Sequence, residues 1–502
     1  MNSSDGGSDS RRLLPYVLCV VPFLLLCTLN SAGYRYGASD QAFYAPAMFE
    51  AIDPELYPRD SDVIHSQAQL TLADNLIGPV ARATGIDLPA LFVVLQIAAL
   101  SLLALAVLLV AAVFYRTAWA GIALLAAVTL RHAISKSGTN TLEGYFHPRQ
   151  LSFALGALAV ALFLRGRYAA TVLLVAAAGA FHPTTGLWFA IWLGVALVVH
   201  ERRDRRVWML AGIAVAGAAA FSVWAFTSGP LTGRFVFMDS EWLATLSSKP
   251  YLFPLEWPAA TWLINLGYIP VIVLLFRRRQ RAGLTAVREA ALVAGGVALA
   301  VVFLIALPFN AARVALAIQL QPARVFWMLD FLAVVYVVWL LAEGVAAQPT
   351  RARAVAILLV AVSIVRGGYV MVVEFPERRI AQANISNDDW GQAMAWARTT
   401  DKRSGWLADP DHAARYGTSI RVAARRDVFV EAIKDGAVGM YERGVALRTR
   451  DRVRALGDFM TLTPERARAL AAAYDLDYLI TEQPIALPEV FRSGSIGVYR
   501  LR

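Results

Sequence analysis

The sequence has few charged residues and almost no cysteine. Only 17% of its 502 residues are charged, whereas 58% are hydrophobic and the mean hydropathy is +0.52. Soluble globular domains carry roughly 25% charged residues, so this composition argues against a soluble protein. The two cysteines, Cys19 and Cys27, both lie in the first apolar run, where they have no second segment to link. The chain is therefore not a disulfide-stabilised secreted fold.

What the sequence has in abundance is long apolar runs. A membrane-spanning helix needs about 20 apolar residues. The first run is too long for a signal peptide and lacks a small-residue cleavage site, so we interpret it as an uncleaved span. The runs on either side of His182 are either two spans or one tilted helix kinked at Pro183. The eleven predicted runs lie near residues 13–31, 89–113, 118–130, 150–164, 169–181, 185–199, 207–226, 259–276, 290–307, 325–342 and 354–373.

Arginine is concentrated in alternate loops. If the N-terminus is cytoplasmic, the inner turns contain 16 basic residues in about 51 loop residues. The outer loops, 32–88, 131–149, 227–258 and 308–324, contain 10 in about 125. Basic residues are retained on the cytoplasmic side, so this bias predicts an inside N-terminus and, with eleven spans, an outside C-terminus. Most of the net charge of +10 then lies in the short cytoplasmic turns, and we expect no nucleic-acid partner.

The tail is expected to form a domain of its own. We predict a cytoplasmic tail at 1–12, a transmembrane region at 13–375 and a small extracytoplasmic α/β domain at 376–502. The tail contains no Gly-rich phosphate loop, zinc spacing or nucleophile elbow. The predicted tail strands are Gly405–Ala408, Val428–Ala432, Tyr478–Thr481 and Ile496–Leu501, and the predicted helices are Asp388–Ala397 and 464–473.

The first outer loop, residues 32–88, offers a candidate catalytic acid. Residues 41–50 and 68–83 have helical apolar spacing, which is typical of helices on a membrane surface. Asp40 follows the first span and is placed to accept a proton from an acceptor hydroxyl. The alternative is that Asp40 is a solvated loop acid, or the cap of the helix that starts at Gln41.

Three further residues of this loop could hold a metal. Asp60 and Asp62 are two positions apart, and His65 is close by. Hard oxygen ligands of this kind suit a divalent cation such as Mg²⁺ or Mn²⁺. The alternative is that these are ordinary polar loop residues, because Asp-x-Asp pairs are common by chance.

The other outer loops contain candidates for binding an anionic, sugar-like ligand. Cations there would neutralise a phosphate while aromatic rings stack on sugar faces, although such residues also snorkel at membrane interfaces. His182, inside an apolar stretch, should face a cavity. Arg324, at the outer end of the tenth span, is suited to a lipid-linked phosphate or to lipid headgroups. The candidate binding residues are Lys136, Glu143, His147, Arg149, His182 and Arg324.

The predicted protein resembles members of the GT-C superfamily in four features. These are the inside N-terminus, the acid-bearing first outer loop with surface helices, the basic inner turns and the extracytoplasmic tail. Members of this superfamily are polytopic membrane glycosyltransferases that use polyprenyl-phosphate-linked sugars. As a divergent member, this chain would use Asp40 to activate the acceptor and Arg324 to hold the carrier phosphate.

This resemblance implies a multi-pass enzyme of the plasma (inner) membrane. It would move a sugar from a polyprenyl-phosphate donor to a glycan, lipid or protein acceptor outside the cytoplasm, in contact with membrane lipids. Two alternatives are a transporter or flippase and a non-catalytic scaffold. A transporter predicts charged groups within spans and repeated halves, but Asp330 and Arg366 are the nearest to internal charges and no repeat is visible.

Overall fold

The computed structural model describes residues 19–229 and 231–502, except for the side chain of residue 214. The predicted cytoplasmic tail at 1–12 and the first part of the 13–31 run lie outside the described residues.

Every predicted apolar run corresponds to a helix in the described part of the chain. Seven described helices are long and apolar enough to cross a membrane, as in a polytopic membrane protein. The number of crossings and their orientation remain predictions. The seven are Leu88–Phe114, Pro183–His200, Arg205–Thr227, Ala259–Arg281, Glu289–Ala311, Ala315–Ala342 and Pro349–Glu374. The shorter apolar helices are Cys19–Asn30, Ala118–Thr129, Pro148–Leu164 and Tyr168–Phe181.

The apolar helices differ in how deeply they are buried. Most of Ala315–Ala342 is inside the protein, because 78% of its most apolar 18-residue stretch is buried. In Arg205–Thr227 the corresponding fraction is 6%, so this helix presents nearly all of its surface to the surrounding medium. Within the core, Phe153 stacks on Trp327 with ring centroids 4.0 Å apart. The helix that begins at Val325 is therefore central, and lipid is the natural contact of Arg205–Thr227.

The two charged groups near the middle of predicted spans both have partners. His132 Nε2 lies 2.9 Å from an oxygen of Asp330. Arg366 donates to the side-chain oxygen of Asn30 over 2.8 Å. Ionisable groups within a membrane protein are tolerated when they are paired in this way. These contacts account for both charges without an ion pathway.

The chain bends sharply at His182, which separates two helices. Tyr168–Phe181 ends before it and Pro183–His200 begins after it. A Cβ atom added to Gly186 would lie 2.4 Å from the Cα of Gly179, a separation that a continuous helix could not produce. The two-helix interpretation of this region is therefore the correct one.

Short elements cover those ends of the apolar helices that are predicted to face outwards. The surface helices of the first outer loop are Gln41–Ile52, Ser61–Ala68 and Ala73–Thr84, so the two predicted segments are helical and a third helix lies between them. The later outer loops contain the hairpin Ala133–Ile134 with Thr139–Asn140, the helices Ser240–Leu246 and Ala315–Gln319, and single 3₁₀ turns at Pro250–Leu252, Pro254–Glu256 and Pro322–Arg324.

The C-terminal region contains a mixed sheet. Its strand order is Asp427–Val428, Gly405–Leu407, Tyr478–Thr481, Ile496–Arg500 and Glu489–Ser493. The first three strands are parallel, and the last two pair antiparallel. The helices of this region are Asp389–Ala397, His412–Arg415, Ile420–Ala423, Ala432–Val438, Arg443–Leu456 and Pro464–Tyr474, with a 3₁₀ turn at Phe459–Thr461.

The tail elements agree with the sequence in most places. Tyr478–Thr481 occupies the predicted residues, and Asp388 and Thr463 cap the two predicted helices. The strand predicted at Val428–Ala432 is too long, because the chain leaves the sheet after Val428. The edge strand Glu489–Ser493 was not predicted.

Candidate functional site

A charged cavity of about 190 Å³ lies where the outer loops meet the C-terminal region. Three of the described helices begin at this cavity: Pro148–Leu164 after His147, Pro183–His200 after His182, and Val325–Ala342 after Arg324. The dipole of each helix makes its N-terminus favourable for an anion. The charged and polar residues that line it include Asp40, His147, Arg149, His182, Lys249, Tyr251, Arg324, Lys434 and Tyr441.

Asp40 points into this cavity. It occupies the cap position of Gln41–Ile52, but its side chain contacts other elements. Lys434 Nζ lies 3.1 Å from one carboxylate oxygen, and His147 Nε2 lies 3.5 Å from the other. Asp40 is therefore at the cap position, as the alternative interpretation predicted, but its side chain makes no capping hydrogen bond.

The charge state of Asp40 follows from its neighbours. Burial alone would raise the pKa of the Asp40 carboxyl, but Lys434, His147 and Arg149 together outweigh this effect. The pKa is held well below the usual 3.8. About a quarter of the side chain remains exposed, so the carboxylate is accessible from the cavity.

Two His-Pro dipeptides fix the tautomers of the cavity histidines. His147 Nδ1 accepts the backbone N–H of Arg149 over 3.0 Å, and His182 Nδ1 accepts that of Thr185 over 3.3 Å. In each case proline occupies the first helical position, which suits an N-terminus. Because Nδ1 is the acceptor, the proton of each neutral ring sits on Nε2. His147 thus offers an N–H to Asp40.

His147 is neutral at physiological pH. Burial lowers the pKa of its imidazole, Arg149 lowers it further, and together they bring it to about 4. The 3.5 Å contact with Asp40 therefore comes from a neutral ring, and the positive charge facing Asp40 comes from Lys434 and Arg149.

Four cations line this part of the cavity among the described residues. Arg149 forms a 2.9 Å ion pair with Glu143, which lies behind it. Arg324 is only 8% exposed, and in residues 19–229 and 231–502 its Nε has no hydrogen-bond partner. Lys249 donates to the Ile433 carbonyl over 3.2 Å. With Lys434, these side chains leave the cavity with an excess of positive charge over Asp40 and Glu143.

An apolar pocket of about 80 Å³ adjoins the charged cavity. His147, His182 and Tyr441 line both spaces. The pocket lies between the surface helices and the bend at His182, and its apolar walls include Phe43, Tyr44, Leu70 and Phe181. A ligand with an anionic head and an apolar extension would fit the two spaces together.

Of the seven predicted catalytic and binding residues, five line one cavity, one contacts it and one lies elsewhere. Asp40, His147, Arg149, His182 and Arg324 line the same cavity, and Glu143 contacts it through Arg149. The prediction that Lys136 belongs to the binding site is wrong for this cavity. Lys136 is exposed on a turn with a φ of 49° and does not line the described cavity.

Lys249 and Lys434 were not predicted. They come from residues 227–258 and from the C-terminal region, far from the other members in sequence. A signal was nevertheless present, because the chain has only four lysines and two of them line this cavity.

The metal site predicted at Asp60, Asp62 and His65 is also corrected. Asp60 is fully buried and accepts hydrogen bonds from Arg421 over 2.8 Å and Arg448 over 2.5 Å. Asp62 is exposed, and His65 Nε2 lies 2.9 Å from Glu50. The described residues contain no cluster of three His, Cys, Asp or Glu side chains that could hold a metal. Arginine occupies the oxygens of Asp60 that a cation would need.

The neutral state of His147 makes stability depend on pH. Its pKa is about 4 in the folded protein and 6.5 when exposed, so between these values the unfolded chain binds more protons. Stability should fall as the pH drops from 6.5 towards 4, by roughly 3 kcal/mol from this residue. We expect thermal unfolding of the wild type to shift more between pH 7 and 4.5 than that of His147→Gln. The other cavity histidine, His182, is unchanged in the variant and contributes equally to both proteins. Equal shifts in wild type and variant would therefore contradict a lowered pKa for His147.

Comparisons with known proteins give little further information. No protein-family model matches the sequence, and no curated protein matches it. Among solved structures, the chain is similar to the apo form of the oligosaccharyltransferase of Archaeoglobus fulgidus, with 13% sequence identity and a TM-score of 0.24. The match covers 93% of this chain and 57% of that chain, so this chain spans little more than half the length of its match. A likeness at this level assigns neither a family nor an activity.

Proposed function

We propose that this protein is a membrane glycosyltransferase that moves a sugar from a polyprenyl-phosphate donor to an extracytoplasmic acceptor. The observation that carries the proposal is the cavity in which ionised Asp40 faces Lys434, Arg149 and Arg324, beside an apolar pocket. The cations suit the donor phosphate, and the pocket suits the start of its lipid chain.

The reaction can be written with the residues of this cavity. The acceptor oxygen forms a bond to the anomeric carbon while the bond from that carbon to the phosphate oxygen breaks. The electron pair stays on the phosphate, where Arg324, Arg149 and the helix N-termini stabilise the charge. The acceptor proton passes to Asp40.

Donor binding should also make Asp40 a better base. In the unliganded protein Lys434 and Arg149 hold its pKa down. A bound phosphate shares these cations, so their effect on Asp40 decreases and its pKa rises towards the ordinary value. Asp40 then gains basicity when the substrate is in place.

The arginine-rich turns support an outward-facing cavity. The helix that begins after His147 ends next to Arg165, and the helix that begins after His182 ends close to Arg202 and Arg203. Basic turns are retained in the cytoplasm, so the opposite ends of these helices would face outwards. We place the protein in the plasma (inner) membrane with its C-terminal region outside.

Arg324→Gln tests the phosphate contact. A charge-assisted hydrogen bond contributes about 1.5–3 kcal/mol, so the KM for the donor should rise by roughly ten- to hundredfold. The assay uses purified protein in nanodiscs, a labelled polyprenyl-phosphate-sugar fraction and a cell-envelope acceptor fraction. Arg82→Gln, which changes an exposed arginine on a surface helix, is the matched control. An unchanged donor KM in Arg324→Gln would contradict this role.

A further inference from the structure

A second, larger groove lies outside the Asp40 cavity. It has a volume of about 840 Å³ and runs between the start of the first outer loop, the segment 377–388 and the segment 414–418. Tyr34–Arg35 pairs in parallel with Ala381–Gln382, which holds the segment that follows the last apolar helix against the segment that follows the first. The groove is thus a built feature at the junction of the two regions.

The groove is lined by more cations than anions, with Arg35, Arg378, Arg379 and Arg415 against Glu377 and Asp388. The guanidinium of Arg35 is half-buried, and within the described residues it makes no hydrogen bond or ion pair. Burial lowers the pKa of Arg35. Arg378 lies over the ring of Phe375 and forms a 3.5 Å ion pair with Glu377. Burial and the neighbouring Arg35 still lower the pKa of Arg378 to about 10. Two like charges held together in partial burial favour an anionic ligand.

The rest of the wall is suited to hydroxyl groups. The described side-chain amides of Gln382, Asn384 and Asn387 make no internal hydrogen bond. Tyr416 adds an aromatic face, stacked on Trp390 with ring centroids 4.2 Å apart. Amides and an aromatic ring fit a sugar chain better than a lipid tail.

The groove is within reach of Asp40. Arg35 and Asp40 are five positions apart, so their Cα atoms are separated by at most about 18 Å. The backbone N–H of Arg35 donates to the Gly144 carbonyl over 2.8 Å, and His147, three positions further on, contacts Asp40 over 3.5 Å. A ligand of several sugar units in the groove could therefore present one end to the Asp40 cavity.

We infer that this groove binds the acceptor, and that the acceptor is an acidic glycan bearing carboxylate or phosphate groups. The inference rests on the proposed glycosyl transfer. Arg35 and Arg378 bind the acidic groups, and the amides of Gln382, Asn384 and Asn387 bind sugar hydroxyls.

The test is a binding measurement that requires no catalysis. Full-length protein in phosphatidylcholine nanodiscs is titrated with hexagalacturonate, with a phosphorylated mannopentaose and with neutral maltohexaose. We expect the acidic probes to bind and the neutral one to bind at least tenfold more weakly. Arg35→Gln and Arg378→Gln should each weaken acidic-probe binding by roughly ten- to hundredfold. Arg35→Lys should restore part of the affinity, whereas the exposed-arginine control Arg468→Gln should leave it unchanged.

Three outcomes would overturn the inference. The first is that neither acidic probe binds, and the second is that the neutral probe binds equally well. The third is that phosphatidylglycerol in the nanodisc associates with the wild type but not with Arg35→Gln, which would make the groove a lipid-headgroup site. Asp40→Asn should bind the probes as the wild type does. Probe binding by a wild type that transfers no sugar would therefore reject the proposed function and leave the glycan site intact. Sugar transfer by a wild type that binds no probe would reject the glycan site and leave the proposed function intact.

Discussion

Asp40→Asn is expected to lower the rate of sugar transfer by about 10²–10⁴-fold, the range typical of a lost general base. Asparagine has nearly the same shape and can still accept a hydrogen bond from Lys434 or His147, so the fold should be retained. It cannot take the acceptor proton. The measurement is labelled-sugar transfer at equal folded amounts. Asp451→Asn, an exposed carboxylate on Arg443–Leu456, is the control. Equal rates in wild type and Asp40→Asn would remove Asp40 from the mechanism.

The same residue predicts the shape of the pH profile. The free enzyme has an Asp40 pKa below 3.8, so kcat/KM should lose activity on the acid side only below about pH 4. Bound donor phosphate interacts with Lys434 and Arg149, so the pKa of Asp40 should be higher in the complex. The acid limb of kcat should therefore lie at higher pH than that of kcat/KM. An acid limb of kcat/KM near pH 6.5 would instead indicate a histidine.

Arg421→Met is expected to destabilise the protein by about 3–5 kcal/mol, the usual cost of removing one partner from a buried ion pair. Arg421 is 2% exposed and binds Asp60 over 2.8 Å and Asp435 over 2.5 Å. Methionine replaces the volume but leaves these carboxylates without their cation. The measurement is thermal unfolding of the purified protein, with the exposed Arg468→Met as control. A change below 1 kcal/mol would show that solvent or Arg448 compensates.

This buried cluster also connects the fold to the Asp40 cavity. Asp60 comes from the first outer loop, while Arg421 and Asp435 come from the C-terminal region. Asp435 lies on Ala432–Val438, the helix that carries Lys434 into contact with Asp40. Arg421 is therefore a positioning residue. Arg421→Met should also raise the donor KM at temperatures at which the protein remains folded.

The sequence predicted those parts of the molecule that depend on local pattern. Each apolar run became a helix because its composition favours burial or lipid contact along its full length. His182 was expected to face a cavity because it lies inside an apolar stretch, and it lines one. Asp40 could be proposed from its position at the end of the first span.

The parts that depend on distant contacts could not be predicted. Lys434 is 394 positions from Asp40, and no spacing rule shows that Ala432–Val438 contacts the first outer loop. The spacing of Asp60 and Asp62 suggested a metal site. The arginines that bind Asp60 instead lie in a distant part of the chain, so no local pattern indicated them. The strand Glu489–Ser493 lies at the sheet edge, where half-exposed residues give a weak alternating pattern.

The most direct test of the account is the chemical fate of the donor. Purified protein in liposomes is given a synthetic polyprenyl-phosphate-linked sugar and the acceptor fraction, and the lipids are analysed by mass spectrometry. We predict that the wild type releases free polyprenyl phosphate in a one-to-one ratio with glycosylated product, and that Asp40→Asn releases almost none. Intact donor recovered on the opposite leaflet, in equal amounts with both proteins, would contradict sugar transfer and identify a lipid transporter.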